Sequence, residues 1–141
     1  MKSTETENIR IFLDTNILIY AYSDTELEKK EKVLSILENE LVSISTQVIN
    51  EFIWVMNKKY DVDMNSLRII TNNLFELYDV SMITKTTINK AIDISQDMSY
   101  SYWDSLMLSS ALESMCDTFY TEDLQHGQII ENKLKIVNPF I

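Results

Sequence analysis

The chain has 141 residues with one Cys, one His, one Gly and one Pro, and 12 basic against 22 acidic side chains give a formal net charge of −10. That length buries a core without disulfides or a structural metal, and a lone Cys and a lone His exclude an internal disulfide framework and a Cys/His zinc site. The acidity excludes a protein that grips nucleic acid by bulk positive charge, because phosphate binding scales with the cations presented.

Residues 1–8 are polar, unlike the cationic start of a secretory signal, and are expected to be a flexible N-terminus. No later run reaches the roughly 20 apolar residues of a membrane-spanning helix, so a soluble, cytoplasmic protein is expected. Ile9 to Leu13 is short, apolar and β-branched, and predicts a buried strand ending at Asp14. Thr15 or Asn16 then caps a short helix to about Tyr22. A longer helix is expected from Asp24 or Thr25, with Leu27, Leu34, Leu37 and Leu41 inward and Lys29, Lys30 and Lys32 on a solvated face. Val42 to Ser45 predicts a second strand. Thr46 caps a helix that packs Val48, Phe52 and Val55 inward, and Asp63 or Asn65 caps the next, with Leu67, Ile70 and Leu74. Val80 to Ile83 predicts a third strand, followed by a helix opened by Thr84. A helix over about Tyr102–Ser114, a strand at Thr118–Tyr120 and a short strand at Ile136–Val137 complete the chain. Strands alternating with helices over residues 1–141 predict one α/β domain with a mostly parallel central sheet flanked by helices.

Acids are plentiful, so the informative ones are those in apolar surroundings. Asp14 lies between two apolar runs. Glu51 has Val48, Trp54 and Val55 at helical neighbours, and Asp104 has Met107, Leu108 and Ala111. Asp123 follows the strand ending at Tyr120. Ligands of parallel α/β sheets collect at the carboxyl ends of strands, where Asp14 and Asp123 fall. Four carboxylates converging without a Lys or Arg beside them in sequence would repel one another, and Mg²⁺ or Mn²⁺ would resolve that. Each acid also has a plainer reading: an N-cap for Asp14, an amphipathic-face acid for Glu51, a helix cap for Asp104, and a loop acid for Asp123 with Glu122 equally available as a ligand.

Phe12-Leu13-Asp14-Thr15-Asn16-Ile17-Leu18, Asn50-Glu51, Tyr102-Trp103-Asp104, the run from Tyr120 to Gly127 and Asn138-Pro139-Phe140 together resemble a PIN domain, most of all the VapC-type toxins of toxin–antitoxin pairs. The resemblance extends from about residue 9 to the C-terminus. It implies an endoribonuclease in which Asp14, Glu51, Asp104 and Asp123 hold Mg²⁺ or Mn²⁺, with Asn16 and Thr121 ordering the pocket. It also implies an RNA substrate, a cognate antitoxin and a homodimer. Ser105, where the family often has Ala, is the one departure noted.

Two other classes compete. An aspartyl phosphatase would use Asp14 as nucleophile, but its usual second Asp is Asn16 here. A regulatory or RNA-binding module would bind Mg²⁺ without cutting. His126 and Gly127 read as turn residues. Tyr100, Tyr102 and Trp103 read as core or dimer contacts before they read as base-stacking groups, and Pro139-Phe140 is expected to pin the C-terminus.

Overall fold

Ile11, Phe12 and Leu13 are all fully buried, so β1 (Arg10–Leu13) has core on both faces, as a central parallel strand does. The structure, a computed structural model, describes residues 9–141; the expected flexible segment at 1–8 lies outside the described residues. β1 pairs in parallel with β2 (Leu41–Ser45) on one side and β4 (Thr118–Tyr120) on the other. Adding β3 (Asp79–Ser81), β5 (Ile129–Ile130) and β6 (Leu134–Val137) gives the order β3-β2-β1-β4-β6-β5, parallel except for the β5–β6 hairpin pair. The chain leaves β1 toward β2 and later returns to β4 on the opposite flank. The carboxyl edge between β1 and β4 is therefore the topological switch point, where α/β sheets leave a crevice.

Among the described residues six helices cover the sheet: α1 (Thr15–Tyr20), α2 (Leu27–Asn39), α3 (Thr46–Lys58), α4 (Met64–Leu77), α5 (Lys85–Met98) and α6 (Tyr102–Glu113). Their starts follow capping chemistry. The side chains of Ser45, Asp63, Thr84 and Ser101 each accept a backbone N–H of the first turn, and Thr84 and Thr87 form a reciprocal capping box. Capping by Thr46 is thus corrected to Ser45, one residue earlier, and Ser101 takes the role offered to Asp104. α1 begins at Thr15 with Asp14 at its N-cap position, so neither Thr15 nor Asn16 is the cap.

Phe12 and Phe119 stack with ring centroids 5.6 Å apart, joining β1 to β4 through the core. Phe52, Leu67, Leu74 and Leu108 pack around them, all essentially fully buried. α2 departs from its expected register. It starts at Leu27 rather than at Asp24 or Thr25, and it buries Val33 and Ile36 while Leu27 and Leu34 are exposed, as is Leu41 beyond it. Its turn there is made instead by Ser23 and Thr25, whose hydroxyls bond each other at 2.9 Å. Gly127 has φ +90, the left-handed turn expected of it, and His126 Nδ1 accepts the Asn138 N–H at 2.9 Å. Pro139 is buried and Phe140 packs edge-on against Tyr20, which holds the C-terminus on the core.

Candidate active site

Asp14 leaves the end of β1 with its own N–H still in the sheet, donating to the Tyr120 carbonyl at 3.0 Å. Its carboxylate does not cap α1. Instead Thr121, the first residue after β4, donates its hydroxyl to Asp14 Oδ2 at 2.7 Å. The same Thr121 oxygen accepts the N–H of Asp123 at 3.0 Å, so one buried hydroxyl ties the ends of both strands together. Only 8% of Asp14 is exposed. Burial raises its carboxyl to about 6, and the nearby charges of Asp123 and Asp104 add to that, against the opposing hydrogen bond from Thr121.

Glu51 arrives from the second turn of α3. Thr15 donates to its Oε1 at 2.7 Å and Gln47 donates to its Oε2 at 3.2 Å. Gln47 also donates to the Trp103 carbonyl at 3.1 Å, fastening α3 to the start of α6. Asp104 stands in the first turn of α6, where the helix dipole favours a negative charge. All four acids, with Asn16, Asn50, Trp54 and Trp103 among their neighbours, line one cavity of about 410 Å³. Among the described residues no Lys or Arg lines it. Asn16 is exposed on the cavity wall rather than bonded into the acid network.

Glu122 is not interchangeable with Asp123. Its carboxylate accepts from Lys29 at 2.5 Å and from the Tyr20 hydroxyl at 2.6 Å, and the Lys29 ammonium also lies 5.2 Å from the Phe140 ring centroid. Burial alone would raise the Glu122 carboxyl, but these two donors outweigh it and hold it below its usual range. Lys29 is therefore a paired residue, a correction to its expected solvated face. Trp54 is corrected as well: 65% of it is exposed on the cavity rim, whereas Val48 and Phe52 turn inward. Thr15 and Gln47 were missed in the sequence. The only signal for them was position, next to Asp14 and one helical turn before Glu51.

The sequence matches the PIN domain family over residues 11–131, most of the chain. The chain belongs to the PIN domain family. Solved structures share this PIN domain's fold at low identity. A toxin–antitoxin complex from Klebsiella pneumoniae matches with a TM-score of 0.69 and 20% identity, over 92% of this chain and 98% of that one. VapBC2 from Rickettsia felis, bound to a DNA fragment from its promoter, matches at 0.65 and 15% identity, over 92% and 100%. VapC20 from Mycobacterium tuberculosis, a Sarcin-Ricin loop cleaving toxin, matches at 0.65 and 14% identity, over 80% and 91%. None of the curated proteins compared with this PIN domain matches it in sequence.

The donor set of the cavity suits a hard divalent cation, since it offers carboxylate oxygens and no competing positive charge. Among the described residues no three Asp, Glu, His or Cys side chains are close enough together to chelate one ion jointly. Mg²⁺ and Mn²⁺ tolerate this: Mg²⁺ is commonly held by one or two carboxylates and keeps several waters. The raised Asp14 carboxyl fits too, because a nearby cation is what would restore it to its ionised form.

Proposed function

We propose that this PIN domain is a divalent-metal-dependent endoribonuclease and the toxin of a toxin–antitoxin pair, acting as a homodimer in the cytoplasm. The observation that carries the reading is the cavity itself: Asp14, Glu51, Asp104 and Asp123 come from four separate chain segments to line it, and among the described residues no basic side chain does. The toxin assignment draws on the likeness to the toxin–antitoxin structures. The described helices include none long and apolar enough to cross a membrane. α4 and α5 leave Ile69, Phe75, Leu77, Ile88 and Ile92 exposed, which supports a self-association surface.

In this reading Asp14, Glu51, Asp104 and Asp123 would supply the carboxylate oxygens for Mg²⁺ or Mn²⁺, one or two of them as direct ligands and the others through the ion's waters. The bound ion supplies Lewis acidity toward a phosphate oxygen and a water of lowered pKa. The protein's own work is positioning. Thr121 fixes Asp14 and the backbone of Asp123 from one oxygen, and Thr15 and Gln47 hold the two oxygens of Glu51 in place. Burial around Asp14 lowers the local dielectric and so strengthens its attraction for a cation. Products with 5′-phosphate and 3′-hydroxyl ends are expected, with no demand on the 2′-hydroxyl as nucleophile.

The test is Mn²⁺-stimulated cleavage of RNA by the purified protein, alongside Asp14→Asn. Full activity in the variant would refute the mechanism. Growth arrest on induced expression, relieved by a short protein encoded in the adjacent reading frame, tests the toxin assignment.

A further inference from the structure

The rim of the acid cavity carries two indoles that the carboxylate chemistry does not use. Trp54 is 65% exposed and Trp103 is 63% exposed. Aromatic rings of this size normally lie in a core or against a partner, because their burial is favourable and they lose little freedom on binding. These two come from different helices. Trp54 stands one turn beyond Glu51 on α3, and Trp103 directly precedes Asp104 on α6.

Trp103 has its backbone anchored before any ligand arrives. Tyr102 packs edge-on against it with ring centroids 5.3 Å apart, and its carbonyl accepts from the Gln47 amide that also holds Glu51. That amide has only one satisfactory orientation, because both of its partners are acceptors and only Nε2 can donate to them. A second cavity of about 470 Å³ shares Asn50, Glu51 and Trp103 with the first, so the concave surface continues past the indole.

Charge decides what covers these rings. Among the described residues no Lys or Arg lines either cavity, and the chain carries a net charge of −10. Apart from the phosphate at the metal, a polynucleotide held here gains little from its backbone charge, so the rest of its affinity has to come from uncharged contacts. Every base offers a π-face to an indole whatever its identity, but a base inside a duplex already spends both faces on its neighbours.

We infer that Trp103, together with Trp54, is a stacking platform for unpaired bases flanking the scissile phosphate, which makes the protein selective for RNA that is single-stranded at the cut. This rests on the acid cavity being the cleavage site, so binding and cutting are measured separately. Binding is read by quenching of tryptophan fluorescence with Ca²⁺ present, using an unstructured oligoribonucleotide and the same strand annealed to its complement. Cutting is read as kcat and KM on the single strand with Mn²⁺, for the wild type, Trp103→Ala, Trp103→Phe and Trp54→Ala. Both indoles are mostly exposed, so the variants are expected to fold.

The expected result is that the single strand quenches and binds about tenfold more tightly than the duplex. Trp103→Ala raises KM about tenfold with kcat within about twofold, and Trp103→Phe recovers most of the loss. Equal binding of single strand and duplex, or an unchanged KM in Trp103→Ala, overturns the inference. So does a variant that handles RNA normally but escapes its cognate antitoxin, or one that changes oligomeric state by light scattering, since the indole then serves a protein contact. Single-strand quenching without any cleavage upholds the platform and removes the nuclease reading. Cleavage indifferent to both tryptophans does the reverse.

Discussion

Asp14→Asn should stabilise the metal-free protein while abolishing its activity. The buried carboxyl sits at about 6 instead of 3.8. At roughly 1.4 kcal/mol per pH unit, keeping it ionised costs the folded state about 3 kcal/mol. The sign follows from linkage. A raised carboxyl favours folding fully below its unfolded value near 3.8, and that contribution is lost as pH rises through about 6. Asparagine preserves the acceptor for the Thr121 hydroxyl without carrying the charge. The stability difference between variant and wild type should therefore be small at pH 4, grow between pH 4 and 6, and level off above about 7. For a chain of this size 1 kcal/mol corresponds to roughly 2–4 °C, so in EDTA at pH 8 the variant should melt roughly 6–12 °C higher. Mg²⁺ or Mn²⁺ should narrow or reverse the gap, because an ion that binds only the folded wild type stabilises it by mass action. Thermal melts over pH 4–8, with EDTA and with each ion, check this directly. A variant no more stable than wild type at pH 8, or a gain that ignores pH, would refute the account of Asp14 as a carboxylate stressed by burial.

Thr121→Val keeps the shape but removes the hydroxyl shared by Asp14 and Asp123; melts should show a loss of about 1–3 kcal/mol, and cleavage assays a weaker Mn²⁺ dependence. Glu122→Gln should leave cleavage rates near wild type, because Glu122 is engaged by Lys29 and Tyr20; a large loss of activity would return it to the ligand set. Ser105 is fully buried with no partner for its hydroxyl among the described residues, so Ser105→Ala should raise stability by about 1 kcal/mol in denaturant titration. Burial pushes the Cys116 thiol up to about 12, so a thiol reagent at pH 8 should label the protein only as it unfolds, with kinetics matching the loss of circular dichroism.

The strand ends and the acids' neighbourhoods were legible because they depend on local pattern. Apolar runs stop at Asp14 and Tyr120, and a parallel sheet delivers such ends to one edge. Thr84 and Asp63 cap their helices as the sequence predicts, whereas Ser45 in place of Thr46 and Ser101 in place of Asp104 show that hydroxyl and carboxyl residues within one turn compete for the cap. The register of α2 was not legible. Leu27, Leu34 and Leu41 define one face of this stretch and Val33, Ile36 and Leu37 another, and tertiary packing chose the second. β5 has two residues, too short to leave a period. Glu122 and Asp123 are chemically alike and adjacent, and only the placement of Lys29 and Tyr20 across the fold separates them. Thr15 and Gln47 were missed for the same reason, because a hydrogen bond to Glu51 from another segment leaves no trace in local sequence.

The bond between Thr121 and Asp14 spans 107 positions of the chain. Closing so long a loop carries an entropic cost that the pairing of β1 with β4 and the packing of Phe12 on Phe119 offset. A nascent chain that stops short of β4 holds Asp14, Glu51 and Asp104 but has neither the strand that aligns Asp14 nor Asp123. The cavity is therefore completed only after β4 has been made. Synthesis itself acts as a timer: an unfinished chain carries most of the acids and none of the site, and a truncated product should be inert rather than weakly active.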